Sequence, residues 1–178
     1  KRDSNQLKYI EHENFSLKDS PINECRIADI IENDPSKIGL GECEIIRRER
    51  HQGNRVLDFL IQQEDEDIRY EVELQLGRAD WSHICRSVLY WSKERKKTPQ
   101  YRHFPVLIAE EISQKHLELI SHFNSPMIII KMQGNIINNK DYILDFHILL
   151  DGRDSDPVSD DSDDDKSSLP TDEEYWKK

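Results

Sequence analysis

From residue 67 to residue 77 the chain reads DIRYEVELQLG, an unbroken alternation. Ile68, Tyr70, Val72, Leu74 and Leu76 fall on one side of an extended strand, and Arg69, Glu71, Glu73 and Gln75 on the other. Wound into a helix, the same residues would scatter their apolar groups around the axis, so the segment is a strand with one packed face. Its polar side raises a question, because two carboxylates and an amide in succession must face either water or a metal ion. Glu71 is read as a solvated strand residue.

Two further strand-like runs precede this one, CEIIRRERH and NRVLDFLIQQ. The connections, QGN between the first two and EDED before the third, are short enough for antiparallel hairpins. Upstream, NECRIADIIENDP predicts a short helix with Asn23 as its cap, Ile27, Ile30 and Ile31 on one face and Pro35 past its end. Downstream, RADWSHICRSVLYWSKERKK has the apolar spacing of an amphipathic helix with a basic last turn. FPVLIAEE is a continuous apolar run of the kind found in strands covered on both faces. ISQKHLELISHF predicts another helix, and PMIIIKMQ and YILDFHILL two more strands. The order α-β-β-β-α-β-α-β-β predicts an α/β fold: a mixed β-sheet flanked by helices, with core order αβββαβ.

Apolar residues make up 35% of the chain and charged residues 34%, so a core requires the apolar ones to be concentrated, as they are between Ile22 and Leu150. That assigns residues 1–21 to an N-terminal extension, 22–150 to the domain and 151–178 to a tail. The tail is Asp/Ser-rich, holding 11 acidic and 4 basic residues, and reads as a disordered linker. Most of the net charge of −11 lies there, leaving the domain at −4. So mild a charge gives no support for tight nonspecific nucleic-acid binding, although it leaves room for a local basic groove. No run is apolar enough to span a membrane, no signal peptide is visible, and Cys25, Cys43 and Cys85 make neither a zinc pattern nor a disulfide framework. A cytoplasmic protein is expected. The chain opens on Lys1 without an initiator methionine, so a fragment of a longer protein is expected. The closing Tyr175-Trp176 pair would open a further segment.

Asp58 is the anomalous residue of the second run, a carboxylate amid RVL and FLI. A buried carboxylate without a partner costs several kcal/mol, roughly, so a partner cation is expected. If the hairpin pairs its strand with the next, Asp58 and Glu73 come within a few ångströms. Two carboxylates that close repel each other unless a proton or a metal lies between them. Hard oxygen donors of this kind suit Mg²⁺ or Mn²⁺.

Asp58 followed by Glu73-Leu74-Gln75 across a hairpin resembles the signature of the PD-(D/E)XK nuclease superfamily, in which Asp precedes (Asp/Glu)-x-Lys. The surrounding ENDPSKIGLGECEIIRRERHQGNRVLDFLIQQEDEDIRYEVELQLG is similar to the core of archaeal and actinobacterial mismatch-type endonucleases, and the resemblance extends over residues 23–133. It implies a restriction-endonuclease-like fold and metal-dependent hydrolysis of DNA. Asp58, Glu73 and the Leu74 carbonyl would then bind the ion, with Glu49 as an added ligand and Glu32 a weaker candidate. Gln75 stands where the superfamily has its lysine. It carries no positive charge, though its amide can still orient water. RecB-type nuclease domains of the superfamily place Gln-x-x-x-Tyr on the next helix. Here Arg86 and Tyr90 hold that spacing, and Arg86 would contact phosphate and supply the charge that Gln75 lacks. Arg95, Lys96 and Lys97 form the most basic stretch and extend the expected DNA contacts. Homodimers are common in the resembling family, so a dimer is expected. The alternative reading keeps the fold but loses catalysis, leaving a nucleic-acid- or protein-binding module of a larger protein. The histidines, His103 among them, show no ligand spacing.

Overall fold

The computed structural model describes residues 12–48, 58–63, 65–123, 125–137 and 141–155. Glu49 lies outside them, as do Arg50, Arg55 and the tail from residue 156 onward. The chain forms strand β1 (His12–Phe15), helix α1 (Glu24–Asn33), strands β2 (Cys43–Arg48), β3 (Phe59–Gln63) and β4 (Ile68–Arg78), helix α2 (Trp81–Lys97), β5 (Arg102–Glu111), α3 (Gln114–His122), β6 (Ile128–Ile137) and β7 (Asp141–Asp151). The core therefore runs αβββαβ in a mixed sheet flanked by helices, consistent with a restriction-endonuclease-like fold. Among the described residues no helix is long and apolar enough to cross a membrane.

The sheet runs β1-β6-β5-β4-β3-β2, with β7 along the other edge of β6. β2-β3 and β3-β4 pair antiparallel, the latter across the short connection expected, while the QGN connection lies outside the described residues; β4-β5 and β5-β6 are parallel across the α2 and α3 crossovers. β4 is central, which accounts for its packed apolar side: Tyr70 and Val72 are fully buried, in one cluster with Ile27 and Ile31 of α1 and with Phe104, Val106 and Ile108 of β5. Leu107, Ala109 and Ile129 face the other way and pack with Ile84 of α2 and Ile120 of α3. Asn23 caps α1, its side chain accepting from the Arg26 N–H. Asp80 and His83 form a capping box on α2, which gives His83 a structural task.

The stretch assigned to an N-terminal extension supplies β1, paired antiparallel to residues 134–137 of β6, and Leu17 in the main core. Gly134 makes this docking tight. A Cβ there would lie 2.7 Å from the Phe15 ring and 2.8 Å from Leu17. Gly134→Ala is expected to destabilise the protein by about 1–3 kcal/mol through overpacking. Thermal denaturation checks this, and a melting temperature equal to that of the wild type would show that β1 is not held here.

Candidate functional site

The polar side of β4 faces neither water nor empty space. It lies beneath α2, which runs antiparallel to the strand and supplies partners along it. At one end Arg69 donates to the Thr98 hydroxyl at 3.2 Å and lies 3.7 Å from the Tyr101 ring centre. Next comes Glu71, then Glu73, then Gln75.

Glu71 corrects the sequence reading: it is fully buried, not solvated. Its Oε1 lies 2.6 Å from Nδ1 of His103 on β5, and neither side chain is exposed. The other ring nitrogen, Nε2, lies 2.8 Å from the Thr98 carbonyl, which can only accept, so Nε2 carries a proton. The short Nδ1···Oε1 contact therefore holds one proton between histidine and carboxylate, and the pair is neutral overall. Burial pushes the Glu71 carboxyl up to about 7, against the pull of His103. Burial also presses His103 toward its neutral form, but the Glu71 and Thr98 contacts together raise the imidazole above its ordinary range. Spacing gave no sign of this histidine, because its partner comes from a strand far away in sequence.

Asp58 lies just before β3, where β3 and β4 separate. The register pairs Phe59 with Val72, so one step further sets Asp58 opposite Glu73. Its Oδ2 accepts the Leu74 N–H at 2.7 Å, so the carboxylate extends the ladder beyond the last strand pair. A backbone amide is thus one partner of this carboxylate.

Glu73 is 3% exposed. Arg86 Nη2 donates to its Oε1 at 2.5 Å, from one turn inside the start of α2. The contact is single where a guanidinium fork could make two, and Glu73 Oε2 and Arg86 Nε are both buried without a hydrogen-bond partner. Burial pushes the Glu73 carboxyl up to about 8, aided by the nearby Asp58 charge and opposed by Arg86. The site therefore favours a proton or another cation between its two acids.

Gln75 is half-buried, and its Nε2 donates to the Leu76 carbonyl at 2.6 Å. That leaves its amide oxygen, an acceptor, and one remaining N–H as the groups it can offer. The strand bulges just beyond, at Gly77 with φ +76°, and two carboxylates hold the bulge. Glu24 of α1 accepts the Leu76 N–H at 2.9 Å, and Glu110 of β5 accepts the Gly77 N–H at 3.1 Å. Glu24 adds to the negative field that raises Glu73. Sequence reasoning missed it, since an acid in the first turn of a capped helix looks like a dipole partner.

The remaining candidates divide. Tyr90 is half-buried one turn beyond Arg86. Arg95, Lys96 and Lys97 are exposed in the last turn of α2, about 15 Å along the axis from Arg86 and beside Arg69, away from Glu73. Lys97 pairs with Glu94, and Arg95 lies over the Trp91 ring. Glu32 pairs with Arg48 of β2.

Among the described residues no three His, Cys, Asp or Glu side chains gather closely enough to hold an ion by themselves. Two carboxylates, the Leu74 carbonyl and an unpartnered Oε2 nevertheless fit Mg²⁺ or Mn²⁺, which commonly take one or two carboxylates and complete their shell with water and substrate phosphate.

Fold and site together define a mixed α/β domain with a buried carboxylate pair where two strands of a hairpin part. No protein-family model and no curated protein matches the chain. Two solved structures resemble it weakly. One is a complex of EndoMS with double-stranded DNA, at 19% identity and a TM-score of 0.48. The other is a repair endonuclease from Pyrococcus abyssi, at 18% identity and 0.49. Each match covers 61% of this chain and less than half of the other, 44% and 47% respectively. Likeness at this level transfers no residue roles, and the site stands on its own geometry.

Proposed function

We propose that the domain is a divalent-metal-dependent DNA endonuclease of the PD-(D/E)XK type. One observation carries the reading: Glu73 is buried against a second carboxylate, with an oxygen that nothing in the fold satisfies. Asp58, Glu73 and the Leu74 carbonyl would hold Mg²⁺ or Mn²⁺. When bound, such an ion supplies a water of lowered pKa and neutralises charge on the phosphate. The Gln75 amide oxygen would accept a hydrogen bond from the attacking water and orient it. Asp58 keeps its second task, fixing the Leu74 peptide through its N–H. Arg86 holds Glu73 Oε1 in the ion-free site and would be placed to contact a phosphate oxygen once a cation took over that carboxylate.

A second reading follows from two contacts. Arg86 already pairs with Glu73, and Gln75 is tied to its own backbone. A domain that kept these contacts permanently would bind nucleic acid or protein without cleaving.

The test is cleavage of labelled single-stranded, duplex, mismatched and branched DNA and of RNA, with Mg²⁺, Mn²⁺ or EDTA. Cleavage that needs metal and falls by at least ~10²-fold in Asp58→Asn is the expected result. No cleavage of any substrate, together with no Mn²⁺ binding by calorimetry, would move the assignment to the binding module.

A further inference from the structure

Strand β7 forms a long edge. It runs for 11 residues, Asp141–Asp151, and pairs with β6 on one side and, among the described residues, with nothing on the other. The row of backbone N–H and C=O groups along such an edge is a template for another strand. Proteins commonly guard an edge of this kind with lysine or proline, and β7 has neither. It exposes apolar side chains instead: Tyr142 and Ile148 on one face, Ile143 on the other, and Leu149.

The sequence of β7, DYILDFHILLD, is nearly its own mirror about Phe146. Two copies laid antiparallel about a two-fold axis at Phe146 bring Asp145 of each opposite His147 of the other, Leu144 opposite Ile148, and Ile143 opposite Leu149. A carboxylate thus meets an imidazole and aliphatic meets aliphatic, and the symmetry repeats each match. Asp145 has acceptor capacity to spare, since the one hydrogen bond it takes within the fold is from Asn135 to Oδ2 at 2.7 Å. Lys131, the neighbour of His147 in the β6–β7 ladder, adds positive charge to the same face. The neighbouring registers are worse. An axis at Asp145 sets that carboxylate against its own copy, and an axis at His147 sets Asp145 against Leu149. The ladder with β6 passes from Leu150 to Ile148 and skips Leu149. This bulge ends regular pairing at residues 143–149, before Asp141 of one copy reaches Asp151 of the other.

On the face of Leu144 the edge borders an apolar cleft of about 560 Å³, lined by Phe15, Ile22, Ile30, Ile136 and Tyr142 among others. Ile148 of a second copy, set beside Leu144, would lie along that border. A strand of another protein has no reason to match β7 read backwards, whereas a second copy matches it by construction. We propose that β7 is a homodimer interface, at which two copies pair antiparallel about Phe146 and join their sheets into one. The surface lies three strands from Glu73 and the proposal does not depend on the nuclease reading.

Sedimentation velocity across a concentration series gives the dimer dissociation constant of the wild type, Ile143→Lys, His147→Asp and the swapped pair Asp145→His/His147→Asp. Hydrogen exchange read by mass spectrometry follows the backbone of β7. The wild type is expected to be a dimer in which residues 143–149 exchange slowly and lose protection on dilution. His147→Asp sets carboxylate against carboxylate at both symmetric places and should weaken the dimer about tenfold. The swapped pair should restore it, and Ile143→Lys should be monomeric. Residues 143 and 147 are exposed, so both single variants keep the fold, which circular dichroism checks. A wild type that is monomeric at every concentration overturns the proposal, even if β7 captures some other protein. So does a dimer that His147→Asp leaves within twofold of the wild type, or one that the swapped pair fails to restore, since assembly then uses another surface or register.

Discussion

Glu73→Gln is expected to abolish metal-dependent cleavage and, at the same time, to make the protein more stable. The loss of cleavage follows from removing the charge of one of the two carboxylates proposed to hold the ion, at a cost of at least ~10²–10³ in rate. The gain in stability follows from linkage. The Glu73 carboxyl is raised from 4.5 to about 8 in the fold. Between those values the folded chain keeps a proton that the unfolded chain releases, so stability falls as pH rises from about 4.5 to about 8 and levels off above. Near pH 7 this penalty is on the order of 3 kcal/mol. Glutamine never ionises, so it avoids the penalty, and its amide oxygen still accepts from Arg86. Thermal melts from pH 5 to pH 9 should show a falling wild-type melting temperature and a flatter, higher profile for the variant. Parallel profiles would mean that Glu73 ionises freely in the fold. Because ion binding must displace the same proton, Mn²⁺ affinity should rise with pH up to about 8.

His103→Ala should produce the largest loss of stability, about 3–5 kcal/mol, the usual cost of removing one partner from a buried pair. Glu71 would keep its place under α2 with both oxygens unsatisfied, since its Oε2 already lacks a partner. Protonation removes its charge but leaves both oxygens without partners, and the contribution of His103 is itself complete at low pH, so the deficit should persist there. In the wild type both members push stability the same way. Glu71 is raised to about 7, so its contribution falls as pH climbs from 4.5 toward 7. His103 is raised above 6.5, so the stability it adds is complete below 6.5 and lost as pH rises through its folded value. Denaturant titrations at pH 5 and pH 8 would measure this, and a deficit below about 1 kcal/mol at both would show that the pair does not hold α2 to the sheet. Removing both partners with Glu71→Gln/His103→Ala should cost less than His103→Ala alone.

How far the sequence reached is clearest on β4. Its alternation, and the apolar setting of Asp58, were legible because periodicity and local composition are properties of short windows. The antiparallel pairing of β3 with β4, the crossover order and the facing of Asp58 toward Glu73 followed from a short connection and a period of two. What the polar side of β4 faces was not legible. Whether Glu71 meets water or a histidine depends on how α2 packs and on which residue β5 brings alongside, and no window of the sequence contains both. The same holds for Glu24, from the first helix, and for β1, which earns its place only through a long-range pairing with β6.

By itself, then, the sequence determined the elements, their order, the mixed sheet and the two carboxylates worth watching. Only the tertiary structure decided the electrostatics. It buried Glu71 and Glu73 under one helix and gave one a histidine and the other an arginine. The physical reason is that secondary structure follows from each residue's neighbours along the chain. Desolvation and charge depend instead on which groups the fold brings together, here strands and helices tens of residues apart.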